Sequence, residues 1–564
     1  MSRSPLQRAG TYERRGPLGL EAAFRGLGRR WLTDWPRRSW DLPVIVPSLK
    51  ASRWIFALAL AVAFVNLAIV IWADLDWVWA DGRARLTIAR SVIDNKQPGF
   101  TQFGNTWLPL HPAAMLPLVW IDWAYRSGAA GILVSTLSLA VCLFYTHRFV
   151  FVLTRSMGGA FVAAVALVLS PNFMFMAGTP MSETPFAALT MAAWYYLVLW
   201  TRDPSKARAL TLAGLCVGAG AMIRYEAWFF VPAGAAFMVL SRIQREKPTP
   251  FWQTRMEGEL LAFVSLAVFP VFLFIVYNWL IFDQPDAFLR NNEQAVLEQA
   301  IGLNLAGNLS NTTRVLGWTI LDNIGYLAAA TAAVGFAVFV FVGRRPVVWI
   351  AMLLPAVSAA FFFYSIYSGG SVLRHDRVYE GYTLLNARYG VIAIPAAAVA
   401  IGVLGSFGRL PALAALAALG LQFGMFMLSP QPVITVRDAT QSGYRHFEAT
   451  ARAFDEVYDG GDVLMAFRDH AQMLPAIHLH LDQVIHEGIS QVSPTWEDAL
   501  ADPAAYVRWI VVRENGQGKL DQLIPAILLE RDFEVVREIQ LDNPYFVERI
   551  YRIRPGVNRT VPAR

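Results

Sequence analysis

The sequence predicts a polytopic α-helical membrane bundle of about eleven spans, followed by a smaller C-terminal α/β domain. Three observations predict it. Hydrophobic residues make up 55% of the 564 residues and charged residues only 16%, where a soluble domain carries about 25%. Apolar runs near the roughly 20 residues of a spanning helix recur between residues 54 and 428. Beyond residue 430 the pattern changes to short strands alternating with helices, and five of the eight histidines fall there.

Composition also excludes several classes. Cys142 and Cys216 both lie inside apolar runs, so a disulfide framework and a cysteine-rich metal site are excluded. The net charge of +6 is no nucleic-acid signature. Residues 1–53 alone hold eleven Lys and Arg against four Asp and Glu, more than the whole excess. This basic tail has little apolar periodicity and reads as mostly disordered and cytoplasmic. The first apolar run starts too late for a signal peptide and has no cleavage site, so it is expected to stay as an anchor.

The first span is Trp54–Trp72. The others are Ala129–Phe151, Gly159–Gly178, Pro185–Trp200, Ala209–Ile223, Ala227–Leu240, Leu260–Ile281, Ile324–Val342, Val347–Ile366, Tyr389–Gly405 and Pro411–Leu428. The connections around Arg155, Arg202–Arg208, Arg242–Arg255, Arg344-Arg345 and Arg409 are basic, which marks them as cytoplasmic. Leu108–Trp120 is apolar but short and holds three prolines; counting it as a crossing would put every later basic loop outside, so it reads as interfacial or re-entrant. The same parity makes Ala209–Leu240 a hairpin with Arg224-Tyr225-Glu226 at its apex. Fifteen residues rise only about 22 Å, less than the hydrocarbon core, so Arg224 and Glu226 are expected at the floor of an outward-facing cavity. The resulting division is a tail over 1–53, a transmembrane catalytic unit over 54–428 and an extracytoplasmic α/β domain over 429–564. In that last domain the predicted strands are 461–467, 483–487, 506–513, 533–539 and 545–553. The predicted helices are 442–459, 471–479 and 520–530, and Asp542–Pro544 is expected to turn a hairpin.

Ionisable groups at the outer ends of the spans carry the functional signal, because polar groups at membrane depth are costly. Asp81 opens an amphipathic helix after Trp79, where it could instead act only as a helix cap. Glu183 stands just before Pro185, where it could simply complement a helix N-terminus. The loop 369–388 holds Arg374, His375, Arg377, Arg388 and Tyr389. Arginine is scarce on outside loops and suits phosphate through its planar fork. His478, His480 and His486 read as ordinary residues of the C-terminal domain.

Together, Trp79-Ala80-Asp81, Asn105–Pro112, Ser182–Pro185, Ile223–Glu226 and Ala387–Tyr389 resemble the GT-C integral-membrane glycosyltransferases. That group includes protein O-mannosyltransferases and the aminoarabinose and galacturonic-acid transferases of lipid A. The resemblance covers roughly residues 54–428. It implies a GT-C-like bundle in the plasma or inner membrane, a polyprenyl-phosphate-linked sugar as donor and an extracytoplasmic glycan, lipid or protein as acceptor. It implies catalytic roles for Asp81 and Glu183 and donor-phosphate contacts from Arg224, Arg374, Arg377 and Arg388. Trp79, His111, Tyr225, Glu226, His375 and Tyr389 would line the cavity. No cofactor is assigned; no Asp-X-Asp motif stands in the second loop, and a divalent metal stays open. Nucleic acid is not an expected partner. Two other readings stay open: a lipid-linked saccharide flippase or transporter, and a membrane scaffold.

Overall fold

The computed structural model describes residues 45–557 except 106, 246–249, 291–298, 301, 343–345, 430–432, 442–443, 489–494, 515–517 and 541–546. The basic tail up to residue 44 and the expected turn at Asp542–Pro544 lie outside the described residues.

Each of the eleven expected spans has a helical counterpart. Among the described residues, seven helices are long and apolar enough to cross a membrane, and up to nine crossings result if each of two bent pairs counts as one. The first is α1 (Leu49–Trp72), where the Ser48 side chain accepts from the Ala51 N–H and so satisfies a first-turn donor. A polar helix follows, α2 (Ala80–Ser91). Then comes the short apolar helix α3 (Leu110–Val119), too short to span. The long helix α4 (Ala129–Thr154) is next.

The first bent pair is α5 (Met157–Val168) with α6 (Pro171–Ala177), bent by 72° where Pro171 starts a new helix. Two of the expected spans are neither among these seven nor in a bent pair. Helix α7 (Glu183–Arg202) has its hydropathy lowered by Thr, Tyr and Trp residues, and α8 (Ala207–Ala221) has only 15 residues. Crossings resume with α9 (Tyr225–Gln244) and α10 (Arg255–Phe282). The second bent pair, α11 (Leu309–Ile324) and α12 (Tyr326–Val342), turns by 99°. Gly325, at φ +86°, takes the left-handed conformation that this corner needs. The last spans are α13 (Val347–Tyr367), α14 (Ala387–Gly405) and α15 (Arg409–Leu428).

Helix α14 is the most buried span, and α1, α10 and α15 are mostly lipid-facing. The packing of α14 on α5 depends on small residues: a Cβ at Gly159 would lie 2.5 Å from the Gly402 carbonyl oxygen, and one at Gly402 would lie 2.5 Å from Ala163 Cβ. Such close backbone approach is how spanning helices associate where lipid removes the hydrophobic drive.

After α15 come α16 (Ile434–Gln441) and α17 (Tyr444–Asp455), then a five-stranded sheet in the order β2-β1-β3-β5-β4. Its strands are β1 (Val463–Leu464), β2 (Val484–Ile485), β3 (Trp509–Arg513), β4 (Phe533–Gln540) and β5 (Val547–Ile553). The β2-β1-β3 ladder is parallel and β3-β5-β4 antiparallel, with an apolar cluster on each face. The five strands are those expected, but two helices differ. Residues 471–479 hold only a 3-10 turn at Leu474–Ala476, because Pro475 cannot continue an α-helix. Residues 520–530 fall into Lys519–Leu523 and Ala526–Asp532, broken at Pro525.

The sheet region docks on α2 and the loop that follows it. Arg83 Nη2 lies 2.6 Å from Glu448 Oε1, and Thr87 Oγ1 donates to the Ala471 carbonyl at 2.8 Å. Lys96 pairs with Asp462 at 3.0 Å, and Asn95 contacts His486 Nε2 at 3.1 Å. Helix α2, which carries Asp81, is therefore held between the bundle and the sheet.

Candidate active site

Four separate stretches of chain meet at one polar centre. Trp79 is extended and precedes α2, placing Asp81 in the first turn. No side chain caps that helix; the Asp81 carboxylate instead faces Arg388, whose Nη2 lies 2.7 Å from Oδ2. Glu183 starts α7 and is fully buried. Its Oε1 accepts from Arg224 Nη1 at 2.7 Å and lies 3.4 Å from Arg388 Nε. It is thus the hub of a two-arginine contact as well as a first-turn acid.

Arg224 stands in extended backbone, φ −147° and ψ 143°, between α8 and the 3-10 turn Tyr225–Phe229. The short length of α8 leaves this apex level with the start of α7. From there Arg224 reaches Glu183, Ser182 Oγ at 3.2 Å and Glu226 Oε1 at 2.6 Å. Arg388 opens α14 and also lies over the Trp79 ring at 5.1 Å. Tyr389 stacks on Phe362 with centroids 4.1 Å apart. Tyr225 stacks on Phe288, and its hydroxyl is buried without a hydrogen-bond partner. His111, on α3, is 1% exposed with neither ring nitrogen bonded, within electrostatic reach of Arg85 and Arg224.

Trp79, Asp81, Glu183, Arg224, Glu226, Arg388 and Tyr389 thus come together, with His111 within electrostatic reach of Arg224, while Tyr225, next to Arg224 in the chain, packs on Trp228 and Phe288. The rest of the loop 369–388 goes elsewhere. Arg377 lies over the Trp318 ring at 4.8 Å and 3.4 Å from Asp322. His375 Nε2 is 3.2 Å from Asp322 Oδ2, and Arg374 lies over Tyr382 at 5.8 Å. The Arg377 and His375 contacts clip the loop to α11, and the Arg374 contact stays within the loop.

Two members of the centre were not identified from sequence. Arg85 is buried on α2, with its guanidinium over Trp107 at 5.0 Å and Nη1 3.8 Å from Met181 Sδ. Burial pulls its pKa down to about 10, with Glu183 and Asp81 opposing, so it stays a cation at neutral pH. Unlike Arg224 and Arg388, it has no carboxylate in salt-bridge contact among the described residues. Its signal was the spacing: Asp81 and Arg85 are i,i+4 and share a helix face. The second is Asp438 on α16, 2% exposed, for which local sequence carried no signal.

Chemically the centre offers carboxylates that can take a proton and fixed cations that can stabilise a leaving anion. Among the described residues, no three His, Cys, Asp or Glu side chains group to hold a metal ion.

A family model for dolichyl-phosphate-mannose-protein mannosyltransferases matches residues 124–286. No curated protein matches the chain. Among solved structures, the chain is similar to ArnT from Cupriavidus metallidurans bound to undecaprenyl phosphate. The two share 12% identity and a TM-score of 0.54, over 91% of this chain and 99% of that one. The apo state of the same protein gives 13% identity and 0.52, over 89% and 98%. An archaeal oligosaccharyltransferase, AglB from Archaeoglobus fulgidus in complex with an inhibitory peptide and a dolichol-phosphate, gives 11% identity and 0.42, over 82% and 70%.

Proposed function

We propose that this chain is a GT-C superfamily membrane glycosyltransferase that moves a sugar from a polyprenyl-phosphate donor to an extracytoplasmic acceptor by direct displacement. The observation that carries the reading is the pair of carboxylates, Asp81 and Glu183, bridged by Arg388 where α2, α7 and α14 meet.

In this reading Asp81 takes the proton of the acceptor hydroxyl as its oxygen bonds the sugar's anomeric carbon. The bond from that carbon to the phosphate oxygen breaks, and polyprenyl phosphate leaves with the electron pair. Arginine near the phosphate stabilises that developing charge, the larger electrostatic term in such reactions. Arg85 suits the role best, because among the described residues no carboxylate lies in salt-bridge contact with it; Arg224 and Arg388 hold the acids in place and border the same space. His111 and Tyr225, buried with unbonded polar atoms, offer hydrogen bonds to the sugar. The polyprenyl tail stays in lipid, which accounts for a transfer site built in a helix bundle. The lipid-linked donor is in keeping with the undecaprenyl phosphate bound to the ArnT structure. The basic loops orient the chain with its N-terminus in the cytoplasm and residues 429–564 outside.

The test is direct. Purified protein is incubated with labelled polyprenyl-phosphate sugars and candidate acceptors, and release of polyprenyl phosphate is followed. The reading expects release that Asp81→Asn abolishes. No release from any donor, or release unaffected by Asp81→Asn, defeats it.

A further inference from the structure

A second buried arginine stands at the end of the bundle opposite the carboxylate–arginine centre. Helix α7 begins at Glu183 in that centre and runs alongside α4. Its last residue, Arg202, donates through Nη1 to the Val152 carbonyl near the end of α4. The 20 residues of α7 rise about 30 Å, so the end of α4 lies across the membrane from Glu183. Helix α4 has 26 residues and rises about 39 Å, more than the hydrocarbon core of about 30 Å. Arg148 lies about 9 Å before its end, close to headgroup depth.

The Arg148 guanidinium is enclosed but underbonded. The residue is 6% exposed. Its Nη2 donates to Ser52 Oγ in the first turn of α1, and the Ser52 hydroxyl donates to the Ser48 carbonyl at 2.7 Å. Nε and Nη1 are buried without an acceptor. Among the described residues no carboxylate pairs with Arg148. The guanidinium lies over the Phe144 ring, 5.0 Å from its centroid, and that ring meets Phe56 of α1 edge-on at 5.7 Å. Phe56 is exposed on a mostly lipid-facing helix. Lys50 and Arg53 are exposed on either side of Ser52.

Two ordinary accounts fail. A snorkelling arginine carries its head into water, but this head is enclosed. A structural arginine between spanning helices is paired with acids or carbonyls, but two of these nitrogens have no acceptor, and an unpaired buried cation is costly. Basic sites between spanning helices at headgroup depth suit anionic lipid headgroups. We propose that the seam between α1 and α4 binds an anionic phospholipid, with its phosphate on Arg148 Nε and Nη1 and an acyl chain along Phe144 and Phe56. The start of α1 yields to admit the headgroup, and Lys50 and Arg53 add attraction for it. The leaflet is the one opposite the carboxylate–arginine centre, cytoplasmic in the orientation given above. The site does not depend on the transfer chemistry.

The experiment uses the full chain in detergent, stripped of lipid as counted by native mass spectrometry, as wild type, Arg148→Met, Arg148→Lys and Arg53→Gln. Each is titrated with phosphatidylglycerol, phosphatidylcholine and inorganic phosphate, and binding and melting temperature are followed. Without lipid, Arg148→Met removes an unpaired cation and keeps an apolar side chain, so it is expected to melt at or above wild type. A clearly lower melting temperature shows that an acid of the chain already pairs the cation, and overturns the proposal. Phosphatidylglycerol is expected to raise the wild-type melting temperature and to bind Arg148→Met about tenfold or more weakly. Arg148→Lys is expected to recover part of that loss, and Arg53→Gln to stay within about twofold of wild type. Equal affinity of wild type and Arg148→Met for phosphatidylglycerol overturns the proposal. An equal response to inorganic phosphate assigns the site to a free anion and overturns the lipid. If Arg148→Met does not fold, the wild type decides: equal responses to phosphatidylcholine and phosphatidylglycerol overturn the proposal.

Discussion

Arg388 touches both acids of the centre, with Nη2 2.7 Å from Asp81 Oδ2 and Nε 3.4 Å from Glu183 Oε1. The two carboxylates it bridges are not equivalent. The Asp81 side chain is 31% exposed and faces one guanidinium; that of Glu183 is fully buried and faces two. An acid held by two cations in a closed site is a poor base, and one with an open side can meet an acceptor hydroxyl. Asp81→Asn keeps the shape and is expected to cut single-turnover transfer by about 10²–10⁴-fold with donor binding near normal. A near-normal rate assigns the base elsewhere.

Glu183 is expected to matter for architecture first. Glu183→Gln leaves Arg224 and Arg388 sharing less negative charge in a buried place, and breaking a buried pair from one side costs about 3–5 kcal/mol. Thermal unfolding in detergent should show a much larger loss for Glu183→Gln than for Asp81→Asn, with donor binding impaired as well. Equal melting temperatures for the two variants remove the structural role.

Much of this was legible in the sequence, for a physical reason. Spanning helices are specified locally, since lipid demands a long apolar run, and each of the eleven runs is helical, with 159–178 split into the bent pair α5 and α6. The Arg224 apex was legible because charge parity and the shortness of 209–223 act together. What failed was grouping by nearness in the chain. His375 and Arg377 sit near Arg388 in sequence, but they fold onto Trp318 and Asp322. On α2, Arg83, Arg85 and Arg90 are chemically alike. Docking of the sheet turns Arg83 to Glu448, and Asp94 with Asp122 claims Arg90, which leaves Arg85 for the centre. Asp438 depends on contacts more than 250 residues apart in the chain, such as Thr435 with Asn172, and no local pattern encodes that.

Arg85 makes the third prediction. A charge-assisted contact to phosphate contributes about 1.5–3 kcal/mol, so Arg85→Ala is expected to weaken undecaprenyl phosphate binding about tenfold or more. Arg377, with 46% of its side chain exposed and clipped to α11, serves as the contrast: Arg377→Ala should bind within about twofold of wild type, as expected for a surface charge. Titration of a fluorescent lipid phosphate separates the two, and equal losses reject the assignment.

The seam between α2 and the sheet makes the fourth. His486 is buried, stacked on Phe467 at 3.4 Å, accepts from the Gly488 N–H at Nδ1 and contacts Asn95 through Nε2. Burial lowers its pKa to about 3. The unfolded chain takes up a proton near pH 6.5, which the folded seam refuses until about pH 3. Stability from this residue is therefore complete above pH 6.5 and is lost as pH falls, by about 1.4 kcal/mol per pH unit while only the unfolded chain is protonated. His486→Gln keeps hydrogen-bonding capacity and removes the titration. It should start below wild type at pH 7.5, because the stack on Phe467 is lost, and converge on it towards pH 4. Melting curves of both proteins across that range are the measurement. A constant gap would mean that His486 is protonated in the fold and that the seam tolerates charge. Because the seam holds the helix that carries Asp81 and Arg85, its loosening at low pH is also expected to lower transfer before the bundle itself unfolds.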